Sequence, residues 1–156
     1  MIHHISIAAQ NPEHVAAVLA EVLGGVSFAF PPARGGYIAL CDDGHATAIE
    51  VYLAQTLMQP GEADEEVRFV DEGQAQGYSP THAAISVARD EAAIHAIAQR
   101  EGWRAVTCER GGLFKVVEFW VENRQLIEFL TPEMARDYLA TITPQKWAGY
   151  LEAGLS

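Results

Sequence analysis

The sequence predicts an α+β fold of two βαβββ modules, eight strands in all and mostly antiparallel, followed by a helical C-terminal tail. Three observations point there. Residues repeat at a fixed offset of 78, with Ile7 falling on Ile85, Glu13 on Glu91, Gly24 on Gly102, His4 on His82 and Glu50 on Glu128. Each half reads by its periodicity as a strand, a helix and three further strands. The helix of each half runs into a glycine, which takes positive φ without a Cβ clash.

The opening strand of each half, 3–9 and 81–87, alternates in character. In the first, Ile5 and Ile7 share one face, while His4, Ser6 and Ala8 share the other. In the second, Ile85 and Val87 oppose His82, Ala84 and Ser86. Helices follow over about 12–23 and 90–101. Asn11 caps the first and Pro12 takes its first position, where a missing N–H costs nothing. Val15, Val18, Leu19, Val22 and Leu23 form its apolar stripe. Asp90 opens the second helix, and Ile94 and Ile97 lie on one stripe.

Three strands are expected after each helix, over 26–31, 36–41 and 48–54 and over 104–109, 114–121 and 125–131. Pro31-Pro32, Asp43-Gly44, Gly111-Gly112 and Asn123-Arg124 mark the turns. This divides the chain into a first module over 1–55, a linker over 56–80, a second module over 81–131 and a C-terminal extension over 132–156. The linker is acidic, has an apolar patch at Val67, Phe69 and Val70, and is expected to be partly helical; so long a loop suits a lid or a dimer-spanning segment. In the extension, Met134, Tyr138 and Ile142 make one helical stripe, and Trp147, Tyr150 and Leu151 make another.

The formal charge is −11, from 21 acidic and 10 basic side chains. That balance argues against nucleic acid or an anionic membrane as a partner, since phosphate binding needs clustered Lys and Arg. No apolar run approaches the roughly 18 residues of a membrane span, and MIHHISIAAQ lacks the pattern of a cleaved export signal. Cys41 and Cys108 are expected to be reduced thiols in a cytoplasmic protein.

The repeat also carries chemistry. His4 and Glu50 are 46 residues apart, and so are His82 and Glu128. Glu50 stands in AIEVYL and Glu128 in LIEFLT, so each acid lies within an apolar strand. A carboxylate buried there without a partner would carry a large desolvation cost. A divalent ion supplies a partner, and imidazole with carboxylate suits Zn, Fe, Ni, Co or Mn. The expected ligands are therefore His4, Glu50, His82 and Glu128, within one chain or across two. The rival reading is a duplicated fold that has lost its metal. His3 belongs by parity with Ile5 and Ile7, and His14, His45 and His95 are expected on exposed turns or helices.

Residues 2–132 resemble the vicinal-oxygen-chelate superfamily, which includes glyoxalase I, methylmalonyl-CoA epimerase, extradiol dioxygenases and the fosfomycin- and bleomycin-resistance proteins. The histidines of the opening strands and the carboxylates of the last strands carry the resemblance, the second in an IEFLTP ending at 127–132. The four-ligand pattern is closest to glyoxalase I. The resemblance implies strands curled into an eight-stranded metal cup, a small-molecule substrate and a homodimer. It implies a metal-dependent lyase or isomerase that stabilises an enediolate, with Glu128 or Glu50 as general base. Tyr52, Trp120, Ser6 and Ser86 are candidate substrate contacts, and Arg34, Arg104, Arg110 and Lys115 are candidates for gripping an anionic cosubstrate. Two alternatives remain: a metal-dependent ring-cleaving dioxygenase, and a non-catalytic small-molecule binding protein of the bleomycin-resistance type.

Overall fold

The computed structural model describes residues 3–41, 43–59, 68–70 and 81–143, together with 145, 146, 149 and 152. The first module contains β1 (His4–Ala9), α1 (Pro12–Leu23), β2 (Val26–Ala29), β3 (Tyr37–Leu40) and β4 (Ala48–Leu53). The intervening segment contributes two short antiparallel strands, β5 (Leu57–Gln59) and β6 (Arg68–Val70). The second module contains β7 (Ala84–Ser86), α2 (Glu91–Glu101), β8 (Ala105–Arg110), β9 (Phe114–Val121) and β10 (Gln125–Leu130), and α3 (Pro132–Thr141) follows.

Both modules are wired alike. Their sheets run β1-β4-β3-β2 and β7-β10-β9-β8. The opening strand of each pairs in parallel with the last, and the other pairings are antiparallel. The eight strands thus form two mixed sheets of four, where the sequence suggested one eight-stranded surface. Where a partly helical linker was expected, 57–59 and 68–70 are strands. Val67 and the stripe through Trp147, Tyr150 and Leu151 lie outside the described residues.

The helix ends follow their local chemistry. Asn11 accepts from the His14 N–H, Asp90 from the Ala93 N–H and Thr131 from the Met134 N–H. Gly24 and Gly102 close α1 and α2 at φ 72° and 68°. Gly25 has a different role: a Cβ there would lie 1.9 Å from the Leu40 carbonyl oxygen, so β3 passes against bare backbone. Along α3, Met134 is buried and Tyr138 packs edge-on against Phe114 with ring centroids 5.0 Å apart. Ile142 is the C-cap residue and lies exposed, off the end of the expected stripe.

One apolar core runs through both modules, from Ile7, Val15, Leu19, Ile49 and Val51 to Ile94, Val117, Phe119, Ile127 and Phe129. These residues come from the sheet faces opposite the histidines and from the inner faces of α1 and α2, as alternation predicts. Polar contacts reinforce the seam. Glu122 and Asn123 turn β9 into β10 at φ 49° and 55°, and the Glu122 carboxylate accepts from the backbone N–H groups of Gln10 and Asn11 at 2.7 and 3.0 Å. Arg100 grips Glu21 at 2.7 and 3.0 Å. His14 lies 2.7 Å from Glu101. His95, expected to be exposed, is half-buried and meets the Thr107 hydroxyl at 2.9 Å.

Candidate functional site

The parallel β1–β4 pair builds the first half of the site. Its register sets Ser6 beside Glu50 and His4 beside Ala48, and β3 sets Ile38 on the other flank of Glu50. His4, Ser6, Glu50 and Tyr52 therefore share the face turned away from α1. The Ser6 hydroxyl donates to Glu50 Oε2 at 2.8 Å, and the Tyr52 hydroxyl donates to the same oxygen at 2.5 Å. With Oε2 occupied, Oε1 turns toward His4 Nε2, 4.0 Å away. Burial, then the hydrogen bond to Glu50, push the Tyr52 phenol up to about 12. It is a fixed donor at neutral pH.

Aromatic neighbours hold Tyr52 in place. Its ring packs against Phe30 at 6.1 Å and against Phe69 of β6 at 5.3 Å, so the short hairpin sits over the site face. A cavity of about 220 Å³ opens beside it, lined by Ser6, Tyr52, Thr56 and Met58 from one side and Arg124 and Gln125 from the other.

The second half differs. His82 lies exposed, two residues before β7 begins, because that strand is shorter than the predicted 81–87. Glu128 is buried in β10, flanked by Ala84 on β7 and Glu118 on β9. Ala84 stands where the first module has Ser6, and Leu130 where it has Tyr52. Neither side chain can donate a hydrogen bond. Glu128 is instead met by Arg110, whose Nη2 lies 2.5 Å from Glu128 Oε1 and 2.8 Å from Glu118 Oε1. The Trp120 indole N–H reaches the other Glu118 oxygen at 3.4 Å. Arg110 holds the Glu118 carboxyl below the usual range, and the two carboxylates raise the guanidinium above its own. Burial, then the Glu118 charge, push the nearby Cys108 thiol up. Neither Cys41 nor Cys108 is in a disulfide, and the Cys41 thiol donates to the Leu23 carbonyl at 3.4 Å.

The structure thus brings Ser6 and Tyr52 onto Glu50, with His4 close by, and Trp120 onto Glu118. Ser86 pairs with Leu130 on β10 and is exposed. Among the described residues, no group of three or more His, Cys, Asp or Glu side chains lies close enough to hold a metal ion. His4 and Glu50 have the donor types of a divalent-ion site, and their 4.0 Å separation is somewhat wider than the roughly 3.4 Å between two donors of a tetrahedral ion, so they would have to close slightly to share one. Glu128 already has a cationic partner. The sequence marks Arg110 only as an anion-binding candidate and assigns no role to Glu118. The signal for Glu118 was present: an acid inside VVEFWV is the same anomaly as Glu50 inside AIEVYL.

Solved structures share this fold, three of them as follows. The fosfomycin resistance protein FosX from Listeria monocytogenes, complexed with Mn(II) and sulfate, superposes with a TM-score of 0.57 at 11% identity, covering 90% of this chain and 96% of its own. Lactoylglutathione lyase from Agrobacterium tumefaciens gives 0.52 at 10%, covering 83% and 91%. FosX from Mesorhizobium loti gives 0.51 at 14%, covering 87% and 94%. The chain has the vicinal-oxygen-chelate fold. No family model and no curated protein matches it in sequence. Fold does not fix reaction, so function must be argued from the site. No helix among the described residues is long and apolar enough to cross a membrane.

Proposed function

We propose that this protein is a metal-dependent lyase or isomerase acting on a small substrate with two neighbouring oxygens. In this reading His4 and Glu50 of one copy and His82 and Glu128 of a second hold the ion. The observation that carries it is the clamp on Glu50: two hydroxyls take one carboxylate oxygen and present the other beside an imidazole. Orientation of a ligating carboxylate by neighbouring donors is what a metal centre requires. When bound, the ion would polarise adjacent substrate oxygens and stabilise the negative charge that develops on them.

The chain's own residues supply the rest. Tyr52 and Ser6 keep Oε2 occupied, so Oε1 is the oxygen of Glu50 left to work: it would hold the ion or, once released from it, accept a proton from a substrate carbon, and Glu128 is the other candidate base. The cavity of about 220 Å³ beside Tyr52 has the size of a small molecule and is lined by Ser6 and Tyr52, the two residues that hold Glu50, though not by Glu50 itself; the Phe30 and Phe69 rings pack on the phenol. A second copy of the chain is favoured by the same face. Val26, Phe28 and Leu40 lie on it in register with His4 and Glu50 and are 59%, 53% and 37% exposed, an apolar surface of the kind that pairs.

The test is loss of deuterium from the carbon next to the carbonyl of a deuterated α-hydroxy carbonyl compound, followed by NMR with and without Mn²⁺ or Ni²⁺. Metal-dependent exchange that disappears in Glu50→Gln supports the reading. Exchange indifferent to metal, or retained in Glu50→Gln, overturns it. A second reading, a metal-free binding protein for small molecules, has one observation in its favour: Arg110 already neutralises Glu128. Ligand retention by chelator-treated protein would select it.

A further inference from the structure

The Arg110 contact has no counterpart in the first module. A single guanidinium nitrogen bridges two carboxylates, Glu128 in the centre of the site face and Glu118 beside it. One positive charge between two negative ones leaves a net negative pocket, so a further cation is still attracted there. Its arrival at Glu128 does not require Arg110 to become unpaired, because the guanidinium is already bonded to Glu118. That second partner is itself fixed, since Trp120 directs an N–H at its far oxygen. Arg110 also has room to move: its side chain is 35% exposed, against 12% for Glu128 and 18% for Glu118.

We propose that Arg110 is a resident counter-cation that competes with the divalent ion for Glu128, and that Glu118 is the carboxylate that keeps it when the ion binds. This rests on the assignment of Glu128 to the metal centre. It assigns regulation of that centre to two residues outside the ligand set. The guanidinium stabilises the fold by neutralising a buried carboxylate, and the same contact weakens metal binding there. Guanidinium and metal ion occupy Glu128 in turn, with no bond made or broken beyond the ionic contacts.

The experiment is Mn²⁺ titration by calorimetry of chelator-stripped full-length protein, as wild type, Arg110→Gln, Glu118→Gln, Arg110→Gln/Glu128→Gln and His4→Ala, each checked for fold by circular dichroism. Arg110→Gln should bind Mn²⁺ at least about tenfold more tightly, the scale of a lost charge-assisted bond. The added Glu128→Gln change should abolish that gain. Glu118→Gln should bind more weakly than wild type, because Arg110 then has only Glu128 to hold. A folded Arg110→Gln protein that binds no tighter than wild type overturns the proposal. So does a Glu118→Gln protein that binds as well as wild type or better, and this arm decides the matter if Arg110→Gln does not fold. His4→Ala separates the underlying reading: unchanged Mn²⁺ affinity there sinks the four-ligand centre and leaves the Arg110 measurements to stand on their own.

Discussion

The two modules place a glutamate at the same position of the same strand and satisfy it in opposite ways. In the first, Glu50 is held by neutral donors from Ser6 and Tyr52 and keeps its charge for something else. In the second, Glu128 is held by the charge of Arg110 and shares it with Glu118. The surroundings differ to match. The first site face carries exposed apolar side chains, whereas in the second Tyr138 of the C-terminal helix covers Phe114, which lies on the Glu118 face. A duplicated fold therefore need not be a duplicated site. Neutral hydrogen bonds orient a carboxylate without cancelling it, whereas a guanidinium does both.

The comparison can be broken most severely at its open end. If the proposed centre is correct, Glu50→Ala and His4→Ala should each bring the metal content of the purified protein below detection, measured by elemental analysis. A variant that retains metal would show that the first module is not the binding half.

Core changes come next. Gly25 and Trp103 are equivalent by the repeat, yet one lies under a backbone carbonyl and the other packs on Phe119 with ring centroids 5.7 Å apart. Trp103→Ala should cost about 3 kcal/mol as a large-to-small change, and Gly25→Ala about 2 kcal/mol or more by forcing β3 away. Urea unfolding measures both, and wild-type midpoints would show that the two positions do not matter to packing.

Arg110→Met tests the closed end without metal. It should destabilise by about 3 kcal/mol at pH 7, the cost of stranding a buried charge. The pH dependence has a definite sign. Glu118 is lowered in the folded state, so its contribution is full above its unfolded value and fades as pH falls toward the folded one. Wild type should therefore lose this increment on acidification below about pH 4.5, the ordinary carboxylate range. Arg110→Met should gain relative to wild type over the same window, and parallel pH profiles of the two melting temperatures would refute the pairing.

Tyr52→Phe removes one donor from Glu50 and should cost about 1 kcal/mol, with weaker metal binding. Glu122→Ala removes the link to the start of α1 and should cost about 1 kcal/mol or less, read as faster amide exchange at Gln10 and Asn11.

Much of this fold is legible in the chain. The caps at Asn11 and Asp90, the stops at Gly24 and Gly102 and the alternation of HISIAA and AIEVYL are local signals, and each strand or helix they predict is present. The His4–Glu50 proximity was legible too, because parity puts both on one face. Other features were not. The β5–β6 hairpin depends on pairing 57–59 with 68–70, which no local pattern specifies. Arg110 reads as a surface base until Glu118 and Glu128 are placed beside it.

The sequence by itself determined two matched modules, their helix ends and which face of each strand carries the acids, because alternation and capping act within a few residues. Only the tertiary structure decided what each acid meets. A constant offset of 78 aligns Ile38 with Val116, yet in space the neighbour of Glu50 is Ile38 and that of Glu128 is Glu118. The last two strands of the second module are joined by three residues, 122–124, where the first module has seven, 41–47, and their pairing is shifted by two residues, one full alternation. That shift keeps every side chain on its predicted face and puts an acid, with its arginine, where the first module has an isoleucine.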